Sequence, residues 1–335
     1  MYSTDSSLHT FSDMNFLIVG TNFISDRFAE AARLVADVNI RAVYSRREET
    51  GRAFAEKNGI DLVYTDYSLA LADTGIDAVY VASPTLCHAE HSILAMRAGK
   101  DVLCEKMLAA DLSDFEKMKK TASETGRVLL EAMRPAHDPA YNTVREYISR
   151  LGKLRRASLE FCQYSSRYDA FLDGKLTNAF DPSMKNSSLS DIGIYPLHAA
   201  IMLFGEPIDV ISRSVFLENG FEGEGIITLD YGDMLASVIY SKITASVTPS
   251  VIEGERGSLT IDKISAPREL VFHSRGGDVE HIMLDTDENN MTYEIRAFVD
   301  MVNGKISSAQ YLETTETAQK IVDKIYKSEG ISDKF

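Results

Sequence analysis

Three cysteines in 335 residues organise little. Cys87, Cys104 and Cys162 cannot all pair, and their spacing fits no metal-ligand pattern, so they read as reduced thiols of a cytoplasmic protein. Positive charge is also scarce. Against 50 Asp and Glu the chain carries 35 Lys and Arg, a formal charge of −15, which argues against nucleic acid and anionic membrane surfaces, since both need a concentrated basic face. No run of eighteen apolar residues is present, which excludes a membrane-spanning helix. The opening "MYSTDSSLHTFSD" has neither the basic end nor the apolar core of a signal peptide and reads as a polar leader. Internal repeats and low-complexity linkers are missing too, so the parts of the chain are expected to pack closely. An acidic protein can still hold an anionic ligand if the local donors are backbone amides and a few arginines.

What is present is an ordinary globular composition, 44% apolar and 25% charged, in a chain long enough for two cores. From Met14 to Arg134, short apolar runs at 16–19, 40–44, 77–82, 101–104 and 128–130 alternate with helical stretches at 26–36, 47–57, 86–98 and 111–125. That rhythm predicts right-handed crossovers and a parallel sheet. Asp111 or Ser113 is placed to cap the last of these helices and Gly126 to end it. After residue 150, strand-like runs follow one another at 154–163, 208–217, 224–231, 234–243, 257–262, 268–273 and 279–284, with helices at 187–204, 291–303 and 313–328. The fold class is therefore α/β plus α+β. A nucleotide-binding Rossmann domain (14–134) precedes a domain built on a mainly antiparallel open sheet (135–335).

The turn after the first strand, "VGTNFIS", lies where a dinucleotide site has three glycines. The first permits the bend, the second lets the backbone approach a pyrophosphate, and the third lets the helix sit close to the strand. Only Gly20 is a glycine here; Asn22 and Ser25 occupy the other places. Asn tolerates positive φ better than most residues, and Ser25 is small enough for close packing. Alone, the turn suits a structural α/β connection equally well. Its place in the first unit of an alternating region favours a dinucleotide held by Gly20, Asn22, Phe23 and Ile24. About 20 residues on, where an NAD site carries an acid for the ribose, the second strand ends in Ser45, Arg46 and Arg47. A hydroxyl and a guanidinium suit a 2′-phosphate, so NADP is expected, with NAD possible; the other reading is a solvated basic pair. Asp191, Tyr195 and His198 are spaced four and three residues apart and share one helical face, as a site or as a buried polar stripe.

The segment "VASPTLCHAEHSILAMRAGKDVLCEK", with "VGTNFISDRFAEAA" before it and "SDIGIYPLHAAIMLFGEP" after it, resembles the Gfo/Idh/MocA oxidoreductases over nearly the whole chain. The resemblance is to the branch with glucose–fructose oxidoreductase and dimeric dihydrodiol dehydrogenase. It implies that Ser83 and Pro84 lie beside the nicotinamide, that His88 closes their loop, that Glu105 contacts the nicotinamide ribose region, and that Lys106 is the active-site lysine. Tyr195 stands where the inositol-dehydrogenase branch has a histidine, and implies a tyrosine acid/base with Asp191 beside it. His198 and Arg134 are expected to face the substrate; His137, Arg167 and Tyr168 lie in segments that reach either the cleft or the surface. Lys106 with Tyr195 makes a proton relay that needs no metal. A homodimer or dimer of dimers through the open sheet face is implied as well. The expected activity is hydride transfer to or from a sugar, polyol, diol or related carbonyl compound.

Three departures from the pattern bear on that activity. Met107 follows Lys106 where most relatives have proline, "KNSSLSD" (185–191) replaces a glycine-rich run, and Asn22 replaces a glycine. They keep open a second reading, a nucleotide-binding regulatory or scaffold protein without turnover.

Overall fold

The computed structural model describes residues 13–332; the polar leader read from the sequence lies outside the described residues except for Asp13. The first half contains β1 (Met14–Val19), α1 (Phe23–Ala32), β2 (Val38–Tyr44), α2 (Glu48–Asn58), β3 (Leu62–Tyr64), α3 (Tyr67–Ala72), β4 (Ala78–Val81), α4 (His88–Arg97), β5 (Asp101–Glu105), α5 (Leu112–Thr125) and β6 (Leu129–Ala132). The six strands form one parallel sheet in the order β3-β2-β1-β4-β5-β6. The reversal of strand order between β1 and β4 opens a crevice at the strands' carboxyl ends, which is where open α/β sheets bind ligands. All of β4 and β5 is buried, as expected for strands covered by helices on both faces.

The second half begins with α6 (Arg134–His137) and α7 (Ala140–Arg150), then β7 (Leu154–Cys162), α8 (Tyr168–Leu172) and a π-helical turn (Leu189–Gly193) that runs into α9 (Ile194–Phe204). It continues with β8 (Asp209–Phe216), β9 (Glu222–Asp230), β10 (Leu235–Ser241), β11 (Ser250–Gly254), β12 (Gly257–Ile261), β13 (Glu269–Ser274) and β14 (Val279–Met283), and closes with α10 (Met291–Val302) and α11 (Ala309–Ser328). The eight strands form one sheet, β14-β13-β12-β11-β7-β10-β9-β8, in which only β7 and β10 pair in parallel. One face is covered by α7, α9 and α11, whose Tyr141, Leu197, Ile201, Val322 and Ile325 join Leu159, Val238 and Leu259 in a single apolar core. The other face is open. Ile211, Ile226 and Leu235 project from it and are more than half exposed, alternating with buried neighbours along each strand.

The structure departs from the sequence expectation in several places. The short strands β3 and β11 and the helices α3, α6, α7 and α8 were not anticipated. The helix expected over 26–36 spans Phe23–Ala32, because Asn22 caps it three residues earlier than the apolar pattern begins. And α10, from the second half, completes the core of the first sheet: Met291, Ile295 and Phe298 pack with Phe16, Phe28 and Tyr80. The caps of α5 agree with the sequence, with Asp111 Oδ1 accepting from Asp114 N at 2.9 Å and Gly126 adopting φ +66°.

Candidate active site

The turn after β1 resolves the question of the missing glycines. Gly20 has φ +110°, and a Cβ there would lie 2.6 Å from the Ala82 carbonyl oxygen, so both conformation and space demand glycine. Asn22 sits at φ −93°, ψ 179°, extended backbone open to any residue; the left-handed conformation expected of it is not used. Its side chain is an N-cap instead. Oδ1 accepts from Ile24 N at 3.0 Å and Ser25 N at 3.2 Å, and Nδ2 donates to Ala82 O at 2.8 Å. Two orphan amides of the α1 start are thereby satisfied from within the chain. Ser25 is fully buried, and Phe23 is 70% exposed at the helix start.

At the end of β2, Ser45 is buried and its Oγ is 2.8 Å from Thr50 Oγ1 and 3.0 Å from Arg47 O, so its hydroxyl serves the start of α2. Arg46 is exposed and has no ion-pair partner among the described residues. After β4, Ser83 Oγ meets His91 Nδ1 at 2.9 Å, and the His91 ring lies edge-on to Tyr44 and Tyr67. Pro84 is exposed. A helix start, a free guanidinium and a positive-φ glycine at the carboxyl ends of β1, β2 and β4 form a donor set suited to the phosphates of a dinucleotide.

His88 ties this loop to the one after β5. Its Nε2 is 2.8 Å from Ser83 O and its Nδ1 is 2.9 Å from Met107 O. Burial pulls its pKa down to about 4, even though both carbonyls favour the charged ring, so the neutral imidazole donates to one carbonyl at a time. The Lys106–Met107 peptide is cis. Beneath it, Glu105 accepts from the Tyr80 hydroxyl at 2.5 Å.

Lys106 reaches across to the π-helical turn. Its Nζ donates to the Asp191 main-chain oxygen at 2.5 Å and to Asp191 Oδ1 at 3.1 Å. That carbonyl is available for a physical reason: a π-type bond to it would come from residue 196, which is proline and has no N–H. π-turns recur at functional sites because they re-aim a side chain within a helix. Gly193 lets this turn lie against β10, since a Cβ there would fall 2.6 Å from the Tyr240 ring. The serines of 185–191, which stand in place of the glycines the resemblance implies, are held by hydrogen bonds: Ser187 Oγ lies 2.8 Å from the Tyr326 hydroxyl, and Ser188 Oγ donates to Gly223 O at 2.7 Å.

Asp191 has two cations. Lys242 Nζ stands 2.9 Å from Asp191 Oδ2, completing a bridge Lys106–Asp191–Lys242. Burial raises the Asp191 pKa, but the two ammoniums outweigh it and hold the carboxyl well below the usual range. For Lys106 burial lowers the pKa, and Tyr195, Asp191 and Glu105 reverse the sign, so it remains an ammonium. Its Nζ lies 5.2 Å from the Tyr195 ring centroid. Arg134 donates from Nη2 to the Tyr195 hydroxyl oxygen at 2.9 Å and from Nη1 to Asn290 Oδ1 at 3.3 Å.

Lys106, Asp191, Tyr195 and Arg134 thus form one connected cluster, with Glu105 Oε2 accepting from Lys106 N at 3.3 Å. His198 is not part of it: it is 2% exposed, 4.0 Å from Glu131, and burial pulls its pKa to about 4. His137 packs on Tyr311, while Arg167 and Tyr168 belong to the segment around α8, where Tyr168 stacks on Phe171 and Phe180. Sequence reasoning missed Lys242, although a signal existed. Ala236, Val238 and Tyr240 are the inward positions of β10, and the same period of two places a lysine on the covered face at 242. Glu294 was also missed: it is wholly buried, and neither oxygen meets a hydrogen-bond partner among the described residues.

Comparison with known proteins agrees with this architecture. Residues 14–133 match the oxidoreductase family with an NAD-binding Rossmann fold, and residues 141–260 match the GFO/IDH/MocA C-terminal domain. The chain is 38% identical over 320 residues to the scyllo-inositol 2-dehydrogenase (NADP(+)) of Bacillus subtilis, covering 95% of this chain and 98% of that one. Among solved structures, a 3-ketoreductase from Actinomadura kijaniata in complex with NADP and TDP-benzene superposes with a TM-score of 0.84 at 23% identity, covering 93% and 96% of the two chains. An aldose–aldose oxidoreductase from Caulobacter crescentus does so with a TM-score of 0.84 at 19% identity, covering 96% and 98%.

Proposed function

The chain belongs to the GFO/IDH/MocA oxidoreductases, and from that membership we propose that it is an NADP(H)-dependent dehydrogenase acting on a secondary alcohol of a polyol or sugar, or on the matching ketone. The observation that carries this reading is the cluster of Lys106, Asp191 and Tyr195 just past the carboxyl end of β5, with the Lys106 ammonium on Asp191 and 5.2 Å from the Tyr195 ring centroid. The NADP(+)-dependent polyol dehydrogenase from Bacillus subtilis, similar over almost the whole chain, makes a cyclic polyol the first substrate to try. The exposed guanidinium of Arg46 supports NADP over NAD, because a 2′-phosphate brings two negative charges to that place. Ser45, turned toward Thr50 and Arg47, contributes less than the sequence suggested.

The residues divide the chemistry between them. When bound, NADPH supplies the hydride. Lys106 uses two of its N–H bonds on Asp191, which leaves one for the substrate oxygen; as a permanent ammonium it polarises that oxygen and does not act as the base. Tyr195 accepts from Arg134, so its own proton is free to point into the cleft and reach the same oxygen. In reduction the hydroxyl gives that proton to the new alkoxide, and Arg134 and Lys106 face the charge left on the ring oxygen. Alcohol oxidation runs the same transfer backwards. We assign Glu105, held by Tyr80, to the nicotinamide ribose, as the resemblance implies.

We further place the protein in the cytoplasm as a homodimer or dimer of dimers through the open face of the second sheet, where Ile211, Ile226 and Leu235 stand exposed. Light scattering of the parent and of Ile226→Glu tests this; identical masses for both count against that face.

The activity is tested by mixing protein with NADP+ and scyllo-inositol, then a panel of inositols, aldoses and diols, and the corresponding ketones with NADPH. Lys106→Ala is expected to abolish turnover while NADPH affinity stays within about tenfold, since the ammonium acts in the transition state. Tight NADPH binding with no turnover across the panel would favour the scaffold reading instead.

A further inference from the structure

Lys242 is a charged side chain in a place where lysines are rarely found. It follows β10 on the helix-covered face, is 4% exposed, and makes three kinds of contact. Nζ lies 2.9 Å from Asp191 Oδ2 and donates to the Ala179 carbonyl at 2.8 Å. The remaining direction is walled by aromatic rings, with the Phe180 and Phe221 centroids 4.9 and 5.2 Å away. Burying an ammonium costs several kcal/mol unless partners satisfy it, and here a carboxylate, a carbonyl and two π faces do so. Substrate has no route to this nitrogen, so it cannot polarise or protonate the reacting oxygen.

Asp191 by contrast keeps 47% of its side-chain surface open. A half-exposed carboxylate fixed at one oxygen by Lys106 alone would be free to rotate toward water, and its contact with Lys106 would turn with it. Held at both oxygens it presents one geometry. Through Ala179 and Phe180 the same lysine anchors the segment before the π-turn, so one cation fixes both the carboxylate and the adjacent wall.

Resting on the dehydrogenase reading above, we propose that Lys242 is a positioning residue for hydride transfer: it clamps Asp191 from the oxygen opposite Lys106 and so holds the Lys106 ammonium with its third N–H aimed at the substrate oxygen. The groups facing Asp191 are Lys106 from just past β5 and Lys242 from beyond β10; Tyr195 of α9 lies against Lys106, and Arg134 against Tyr195. Glu222 of β9 also faces Lys242 and accepts from Leu189 N at 3.0 Å; burial raises its pKa to about 7, against the opposing pull of these donors and of Lys242. Removing Lys242 leaves Asp191 Oδ2 without its cation, so the carboxylate is held from the Lys106 side alone.

The test compares Lys242→Met, Lys242→Gln and Lys242→Arg with the parent, using the best substrate of the panel and NADPH. Lys242→Met is expected to lower kcat at least about tenfold while KM and NADPH affinity stay within about threefold, because the clamp acts on the ammonium that meets the transition state. Lys242→Arg, which keeps the charge on Asp191 Oδ2, restores most of kcat. If Lys242→Met does not fold, Lys242→Gln is read in the same way. Parental kcat in the Met and Gln variants, or a loss that Lys242→Arg shares in full, overturns the proposal, because lost packing slows the Arg variant as well. A parent without turnover sinks the dehydrogenase reading alone; crystal structures of Lys242→Met then decide this one, a lost Lys106–Asp191 Oδ1 contact supporting it and a retained contact overturning it.

Discussion

Arg134 donates to the hydroxyl oxygen of Tyr195 at 2.9 Å, and its guanidinium carbon lies 5.4 Å from the centre of the same ring. The pair joins the first residue of α6, just past β6, to the first turn of α9, so the first sheet and the helix that covers the second are coupled at the phenol. This contact orients the Tyr195 proton. Tyr195→Phe should therefore lower kcat by about 10²–10⁴-fold, the range for a lost general acid, with KM nearly unchanged. Arg134→Met should retain the phenol but lose its orientation and give a smaller loss. Steady-state kinetics of both variants check the order; equal rates for Tyr195→Phe and the parent would remove the tyrosine from the relay.

Arg46 is the group expected to discriminate between cofactors. Arg46→Ala should weaken NADPH by about tenfold or more and leave NADH affinity unchanged, because only one of the two carries a 2′-phosphate for a charge-assisted hydrogen bond. Fluorescence titration with both nucleotides measures the ratio. An equal loss for both would show that Arg46 touches a part they share.

At the phosphate turn, Asn22 has two separable effects. Asn22→Ala removes the cap of α1 and should destabilise the protein by about 1 kcal/mol. Asn22→Gly costs only a few tenths by the same scale, and it frees the Ile24 and Ser25 amides for an anion, so NADPH should bind more tightly. Thermal melts and nucleotide titration of the two variants separate cap from cradle. Weaker NADPH binding in Asn22→Gly would mean that the side chain itself serves the pyrophosphate.

Glu294 gives a prediction about pH. Burial raises its pKa well above the usual carboxyl value, and the nearby Glu105 carboxylate adds to this, while Arg134 and Arg27 oppose it. A carboxyl whose folded pKa is raised contributes its full stability below the unfolded value near 4.5 and loses it as pH climbs toward the folded value. Glu131 and Glu222, pushed to about 6 and about 7 by burial, act in the same direction. Glu294→Gln, a neutral isostere with no hydrogen bond to lose, should therefore melt as the parent does near pH 4 and be more stable than it at pH 8, by about 1 kcal/mol or more. Denaturant curves at the two pH values test this; no difference at pH 8 would place Glu294 in a solvated environment.

Local pattern carried much of the architecture into the sequence. Alternating apolar runs and helical stretches marked twelve of the fourteen strands and seven of the helices, most of them within a few residues, because a strand's period of two and a helix's of 3.6 report which side of an element is buried. Asp111 and Gly126 were legible for the same local reason, since a cap acts within its own turn. The short strands β3 and β11, three and five residues long, offer too few positions for a period to show. Asp191 and Tyr195 could be placed on one helical face from their spacing and Lys106 named from the resemblance, but neither says which groups meet them.

That was decided by the tertiary structure alone. Lys242 is 51 residues from Asp191 in sequence, Arg134 is 61 from Tyr195, and α10 reaches back to the first sheet across both domains. Such contacts depend on how separate elements pack, and no one-dimensional period encodes that. The sequence determined by itself that there would be a parallel sheet, an open sheet and a modified phosphate turn. Only the packed structure tied the Asn22 amide to Ala82 and made Asp191 a carboxylate held between two lysines, because each role requires a partner that local sequence does not contain.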